Sequence, residues 1–201
     1  MNLPNKITVS RIILSFLVLI MLITPWYAFK VNWPVYSSVF GLKLSSPLSL
    51  KYIIAGILFI VASITDKLDG FLARKLNMVT DLGKMLDSIA DKILVNGVLI
   101  ILAYDRIIPL FVPVIIITRD IITDTCKMVS GNKGVVVAAS WTGKIKTAFM
   151  MVGVSLIMFN NLPFELIHIP FSQGCIYIAT VLSVISGVQY YYATLKLLKS
   201  K

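Results

Sequence analysis

Residues 63–92 read SITDKLDGFLARKLNMVTDLGKMLDSIADK and hold Asp66, Asp69, Asp81, Asp87 and Asp91, five of the nine acidic residues in the chain. Long apolar runs lie on both sides, about 48–66 before the cluster and 87–104 after it. Two helices that meet at a charged turn explain this pattern. The apolar positions Leu68, Phe71, Leu72 and Leu76 carry the helical period of the first run into the charged stretch. The turn is expected at about Asn77 to Leu82, with the next helix starting near Gly83.

Working outward, four more apolar segments appear at about 7–29, 107–129, 145–160 and 171–195. Most hold the roughly 20 residues needed to cross a ~30 Å hydrocarbon core. A mean hydropathy of +0.89 with 14% charged residues excludes an ordinary soluble domain. The expected fold is an all-α integral membrane protein with six transmembrane helices, forming a single domain over residues 1–201. The first run ends in Trp26 and Phe29 without a small-residue cleavage site, so it reads as a retained helix. The preceding LPNKITVSR is expected to lie in the interface as a short amphipathic segment.

Lysines and arginines orient the bundle. With the N-terminus inside, fifteen of the nineteen fall on the cytoplasmic side, leaving Lys30, Lys43, Lys51 and Arg106 outside. Both termini are therefore expected to be cytoplasmic. The net charge of +10 is accounted for by anionic lipid headgroups and requires no nucleic acid. The stretch from Phe29 to Ser49, with Pro34 and Pro47, is expected to be an outer loop. Pro109 and Pro113 are expected to bend the fourth span. Cys126 and Cys175 fall near opposite faces, which disfavours a disulfide, and no nearby histidine makes a zinc site with them.

The carboxylates need a chemical reason. Asp66 and Asp69 are three residues apart and Asp87 and Asp91 four, so each pair shares a helix face. Two antiparallel helices can then direct all four into one gap, with Asp81 left as a helix cap. A single charge at the bilayer centre costs roughly 2.5–3.5 kcal/mol, and like charges repel in addition. Two divalent cations would remove that repulsion, and all-carboxylate ligation suits Mg²⁺ or Mn²⁺. Two such ions can clamp a pyrophosphate. On spacing alone, a plain hairpin whose aspartates pair with Lys67, Arg74, Lys75, Lys84 and Lys92 stays open.

The residues also carry a family resemblance. Asp66-x-x-Asp69-Gly70-x-x-Ala73-Arg74, eight residues, Gly83-x-x-x-Asp87-x-x-x-Asp91 resembles the signature of the CDP-alcohol phosphotransferases, with eight fixed positions over 26 residues. The resemblance implies that Asp66, Asp69, Asp87 and Asp91 bind two metals. It implies contacts to a CDP-linked lipid donor, CDP-diacylglycerol, from Asp66, Gly70, Arg74, Thr80 and Asp87. It also implies a homodimer in the cell membrane, with the site facing the cytoplasm. Loss of CMP requires that an acceptor hydroxyl give up its proton. The only histidine, His168, falls in the expected outer loop, and the family's base matches Asp91.

The acceptor is read from cations. Arg119 in the fourth span and Lys127, Lys133, Lys144 and Lys146 make the cytoplasmic mouth positive, which favours a phosphorylated acceptor. Pairing of Arg119 with Asp120 or Asp124 is the plainer alternative. Within the family, MNLPNKITVSRI (through Asn5, Thr8 and Arg11) and SWTGKIKTAFMM (through Gly143, Lys144, Lys146 and Thr147) resemble the branch that transfers to glycerol 3-phosphate. That resemblance makes Arg119, Lys144 and Lys146 candidate acceptor-phosphate ligands, and Asn5, Thr8 and Arg11 candidate donor contacts. Two departures stand out: Ser88 where a proline is expected, and Asp120 where glutamate is usual. Other acceptors in the family are inositol phosphate, serine and a second lipid. A metal-dependent prenyltransferase is disfavoured by the absence of adjacent aspartates, and a cation transporter by the absence of an outer acidic set.

Overall fold

A computed structural model describes the backbone over residues 3–39, 42–75, 81–132 and 141–199; within these, the side chains of 3–7, 39, 42–46, 67–75, 81–82, 84, 87, 132 and 197–199 are not described. Six α-helices dominate: α1 (Leu3–Ile23), α2 (Leu50–Lys75), α3 (Asp81–Tyr104), α4 (Phe111–Asn132), α5 (Trp141–Met158) and α6 (Phe171–Lys199). Each overlaps one of the six apolar segments, although α1 ends at Ile23 instead of near Phe29 and α2 runs on to Lys75. Among the described residues one helix, over Phe171–Lys196, is long and apolar enough to cross a bilayer by length and composition alone. The expected turn after α2 lies outside the described residues apart from its last two positions, where α3 has already begun at Asp81.

The stretch expected as an outer loop is more ordered than its prolines suggest. A short 3-10 turn (Trp26–Phe29) closes the segment expected as the first span, and the loop then forms strands β1 (Val35–Val39) and β2 (Leu42–Ser49), paired antiparallel. The register breaks between Tyr36 and Ser38, opposite the part of β2 that contains Pro47. A two-stranded ribbon has only edges, so a proline that cannot donate is tolerated at such an irregularity. The hairpin adds a β element to an otherwise helical chain.

The prolines of the fourth span act as start signals. Pro109 precedes α4 and Pro113 is its third residue. The first turn of a helix has no use for those N–H groups, so the expected bend has no cause there.

Packing divides the chain into two compact units. The first comprises Met1–Ile101 and Ser155–Pro170, where α1 lies along α2 around buried Val18, Leu22, Ala55, Phe59 and Ala62. The second comprises Leu102–Val154 and Phe171–Lys201, where α4 lies along α6 around Val112, Ile116, Ile176 and Ala179. Gly153 allows α5 and α6 to approach, since a Cβ there would stand 3.0 Å from Ile176 and 3.1 Å from Cys175. Both cysteines are free and buried.

Several of the described hydroxyls in these helices satisfy themselves. Ser15, Ser63, Thr65, Thr123, Ser130 and Thr180 each donate to the carbonyl four residues earlier. The pattern keeps polar side chains compatible with apolar surroundings.

Among the described residues, four helical segments close on a non-glycine residue in the left-handed region: Lys30 (φ 56°), Arg106 (59°), Asn160 (54°) and His168 (54°). Each makes the same paired turn. At the end of α3, Ile107 N–H donates to Leu102 O at 2.9 Å and Arg106 N–H to Ala103 O at 3.1 Å. A Cβ makes this conformation costly, and glycine is free of that cost. Arg106→Gly is therefore expected to stabilise the protein by up to about 1 kcal/mol, read as a higher thermal midpoint in detergent. A lower midpoint would mean that the arginine side chain makes a contact worth more than the strain.

Candidate active site

In the first unit the buried stripe of α1 runs through Thr8, Arg11, Ser15, Val18 and Leu22. Its spacing of three and four keeps one face against α2. The N-terminal half of that face is polar. Arg11 is only 2% exposed, and its guanidinium forms an ion pair with Asp66, the first aspartate of the signature. Ser15 donates to the Arg11 carbonyl at 2.8 Å.

Asp66 continues the buried face of α2 beyond Ala55, Phe59 and Ala62. Asp69 falls on the same face one turn later. On α3 the buried stripe of Leu94, Val95 and Val98 leads back to Asp91, which is half-buried, and one turn further to Asp87. Each helix thus changes from apolar to acidic along a single face. The ends that do so are the C-terminal part of α2 and the N-terminal part of α3, which adjoin in sequence.

The side chains of Asp69, Arg74 and Asp87, the surroundings of Gly70, the side chain of Asn5 and all of Thr80 lie outside the described residues. Their helical positions are nonetheless set: Asn5 in α1, Asp69, Gly70 and Arg74 in α2, and Asp87 in α3. Among the described residues no three acidic, histidine or cysteine side chains are grouped to hold a metal. Two of the four expected ligands are not in that set. His168 ends the second 3-10 turn, after Phe164–Ile167.

The second unit contains a separate polar cluster. Asp120 Oδ1 accepts from Arg119 Nη1 and from Lys146 Nζ, each at 2.9 Å. Lys146 is 3% exposed. Arg119 also donates to the Ser186 hydroxyl, from Nε at 3.1 Å and Nη2 at 2.8 Å. The Tyr190 ring lies 5.8 Å from the guanidinium carbon and 5.7 Å from Lys127 Nζ. Lys144 is exposed and sits 5.4 Å from the Trp141 ring. The expected acceptor cations Arg119 and Lys146 are thus brought together on one carboxylate, and Lys144 is not among them. Arg119 makes the Asp120 pairing held open from sequence.

Reading the sequence alone missed the contribution of α6. Ser183, Ser186 and Gly187 interrupt an apolar helix at the point where Arg119 packs, which is the one signal that could have indicated them. Arg119 also lines a groove of about 700 Å³ between α4 and α6, with Val114, Ile122, Val184 and Val188 as apolar walls.

Comparison with known proteins adds an independent observation. The family described as CDP-alcohol phosphatidyltransferase matches residues 1–185. The chain is 38% identical over 201 residues to the CDP-diacylglycerol–glycerol-3-phosphate 3-phosphatidyltransferase of Bacillus subtilis strain 168, covering 99% of this chain and 98% of the relative. A protein of the same name from Rickettsia bellii is 31% identical over 196 residues, or 97% and 96% of the two chains. The probable phosphatidylglycerophosphate synthase of Mycobacterium tuberculosis is 35% identical over 150 residues, or 71% and 66%.

Proposed function

The chain belongs to the CDP-alcohol phosphatidyltransferase family, and from that membership we propose that it transfers a phosphatidyl group from CDP-diacylglycerol to glycerol 3-phosphate. The products are phosphatidylglycerophosphate and CMP. The observation that carries the reading is the end-to-end similarity to the Bacillus subtilis relative, over 99% of this chain. The family match spans segments of both packing units, in keeping with one functional domain over the whole chain.

The proposed setting is the cytoplasmic membrane. Six helices cross it, both termini are inside, and the aspartates face the cytoplasm. The positive-inside bias of the loops supports this orientation. A homodimer is part of the same reading and rests on family resemblance.

The residues at the acidic ends of α2 and α3 suit two divalent cations. Asp66 forms an ion pair with Arg11, which supports an ionised carboxylate at this position. Carboxylate oxygens are the donors that Mg²⁺ and Mn²⁺ prefer, so Asp66, Asp69, Asp87 and Asp91 would hold the pair. When bound, the cations would offset the charge of the pyrophosphate and of the departing CMP.

In the reaction, the acceptor hydroxyl oxygen attacks the β-phosphorus of the donor. A new P–O bond forms, the pyrophosphate P–O bond breaks, and CMP leaves with the bonding pair. Asp91 takes the hydroxyl proton. Gly70, Arg74 and Thr80 grip the CDP portion, with Asn5 and Thr8 of α1 as further donor contacts. Arg119 and Lys146 hold the acceptor phosphate, with Lys144 as a further cation on the same helix as Lys146.

Purified protein supplied with CDP-diacylglycerol and each acceptor in turn tests the assignment through CMP release. CMP with glycerol 3-phosphate is the expected result. Release with inositol phosphate, serine or a second lipid alone would move the chain to another branch of its family. Arg119→Ala is expected to raise the acceptor KM about 100-fold, the loss of a charged hydrogen-bonded partner, with a much smaller effect on the donor KM. Equal effects on the two substrates would make Arg119 a structural residue.

A further inference from the structure

Three charged groups meet in the second unit: Arg119 and Lys146 against Asp120. Lys146 is 3% exposed and the Arg119 side chain 13%, so water screens the cluster only in part. In so poorly solvated a setting, a guanidinium makes a strong charge-assisted hydrogen bond to an anion.

The shape of the cluster depends on α6. The Ser186 hydroxyl donates to Ser183 O at 3.0 Å. Its only proton is therefore used on the backbone, and its lone pairs are left to accept. Arg119 fills that role with Nε and Nη2. Gly187, the next residue, lets α6 come close to the arginine stem, since a Cβ there would stand 2.9 Å from Arg119 Cγ. Tyr190 adds a ring face one turn later. Serine, glycine and tyrosine thus fix the guanidinium from one side while Asp120 fixes it from another. Three of its five N–H groups are engaged in these contacts, which leaves two for a ligand.

We infer that Ser186 and Gly187 are positioning residues for the acceptor: they hold Arg119 as a preset fork that takes the phosphate monoester of the incoming alcohol. The inference rests on the acceptor reading given above. It extends that reading to two residues of α6 that do not themselves touch substrate. An arginine preset in this way loses little freedom when the phosphate arrives, so its contribution appears in acceptor affinity.

The test is a double-mutant cycle on the full-length protein in detergent or nanodiscs, with CMP release as the readout. Ser186→Ala is expected to raise the KM for glycerol 3-phosphate about 10-fold and to leave the KM for CDP-diacylglycerol unchanged. In an Arg119→Ala background, Ser186→Ala is expected to add nothing further. Gly187→Ala is expected to give the same split, and it decides the matter if the serine variant does not fold. The inference is overturned if donor and acceptor KM rise together, or if Ser186→Ala still raises the acceptor KM without Arg119. If the wild-type protein releases no CMP with glycerol 3-phosphate, the acceptor reading has failed instead. The cycle is then run with the acceptor that works, and a neutral acceptor sensitive to neither residue overturns this inference too.

Discussion

Asp91→Asn is expected to lower kcat about 1,000-fold while CDP-diacylglycerol still binds. Asparagine matches aspartate in shape and keeps one oxygen, but it cannot take up a proton. Asp91 is half-buried at the end of the α3 stripe that runs through Leu94, Val95 and Val98. That packing fixes its backbone and ties its orientation to the helix core. The only histidine, His168, ends a 3-10 turn in the connection between α5 and α6. In the proposed reaction a carboxylate does the work that imidazole does in many transferases. Turnover measured by CMP release, with donor binding followed by calorimetry, separates the two effects. Near-normal turnover would show that the hydroxyl proton goes elsewhere. Loss of donor binding in parallel would show that Asp91 mainly holds the donor.

Arg11→Ala is expected to destabilise the protein by about 3 kcal/mol, at the low end for a buried pair that loses one partner. The arginine is 2% exposed, whereas the Asp66 side chain is 30% exposed, so solvent recovers part of the cost on the acidic side. What remains is an aspartate without its counter-charge, one helical turn from Asp69. Arg11→Ala with Asp66→Asn should lose less than Arg11→Ala alone, because the stranded charge has been removed. Thermal denaturation in detergent measures both variants. A midpoint for Arg11→Ala equal to wild type would mean that the ion pair contributes nothing to the fold.

The helices were legible because their signal is repeated many times. Each apolar run supplies its period over about four to seven turns, and each segment marked in sequence overlaps one of the six helices. The hairpin of residues 35–49 was not legible, because Pro34 and Pro47 argue locally for a loop. Strand pairing depends on a partner that the local sequence does not display. The acidic faces of α2 and α3 followed from spacing alone, since positions three and four apart must share a side of any helix. The partners of those charges did not follow. Arg11 and Asp66 are 55 residues apart, and Arg119 and Ser186 are 67 apart. Sequence marks both arginines as unusual in an apolar helix, and only packing says what each one meets. Serine carries less warning still, because many of the described hydroxyls return to their own helix.

That last habit bears on how the protein is made. A helix whose hydroxyls donate to carbonyls four residues back presents few unmet donors, so it can enter lipid before its neighbours arrive. Ser15, Ser63, Thr123 and Thr180 follow that rule. Arg119 does not, because its Nε and Nη2 rely on a serine 67 residues further along. As α4 emerges from the ribosome, its arginine has only Asp120 beside it. It must wait for α6 to bring Ser186 before its Nε and Nη2 are satisfied. In the proposed six-span arrangement, α4 to α6 are therefore expected to leave the insertion machinery as a group, and a chain cut before residue 186 should leave α4 poorly retained in the bilayer.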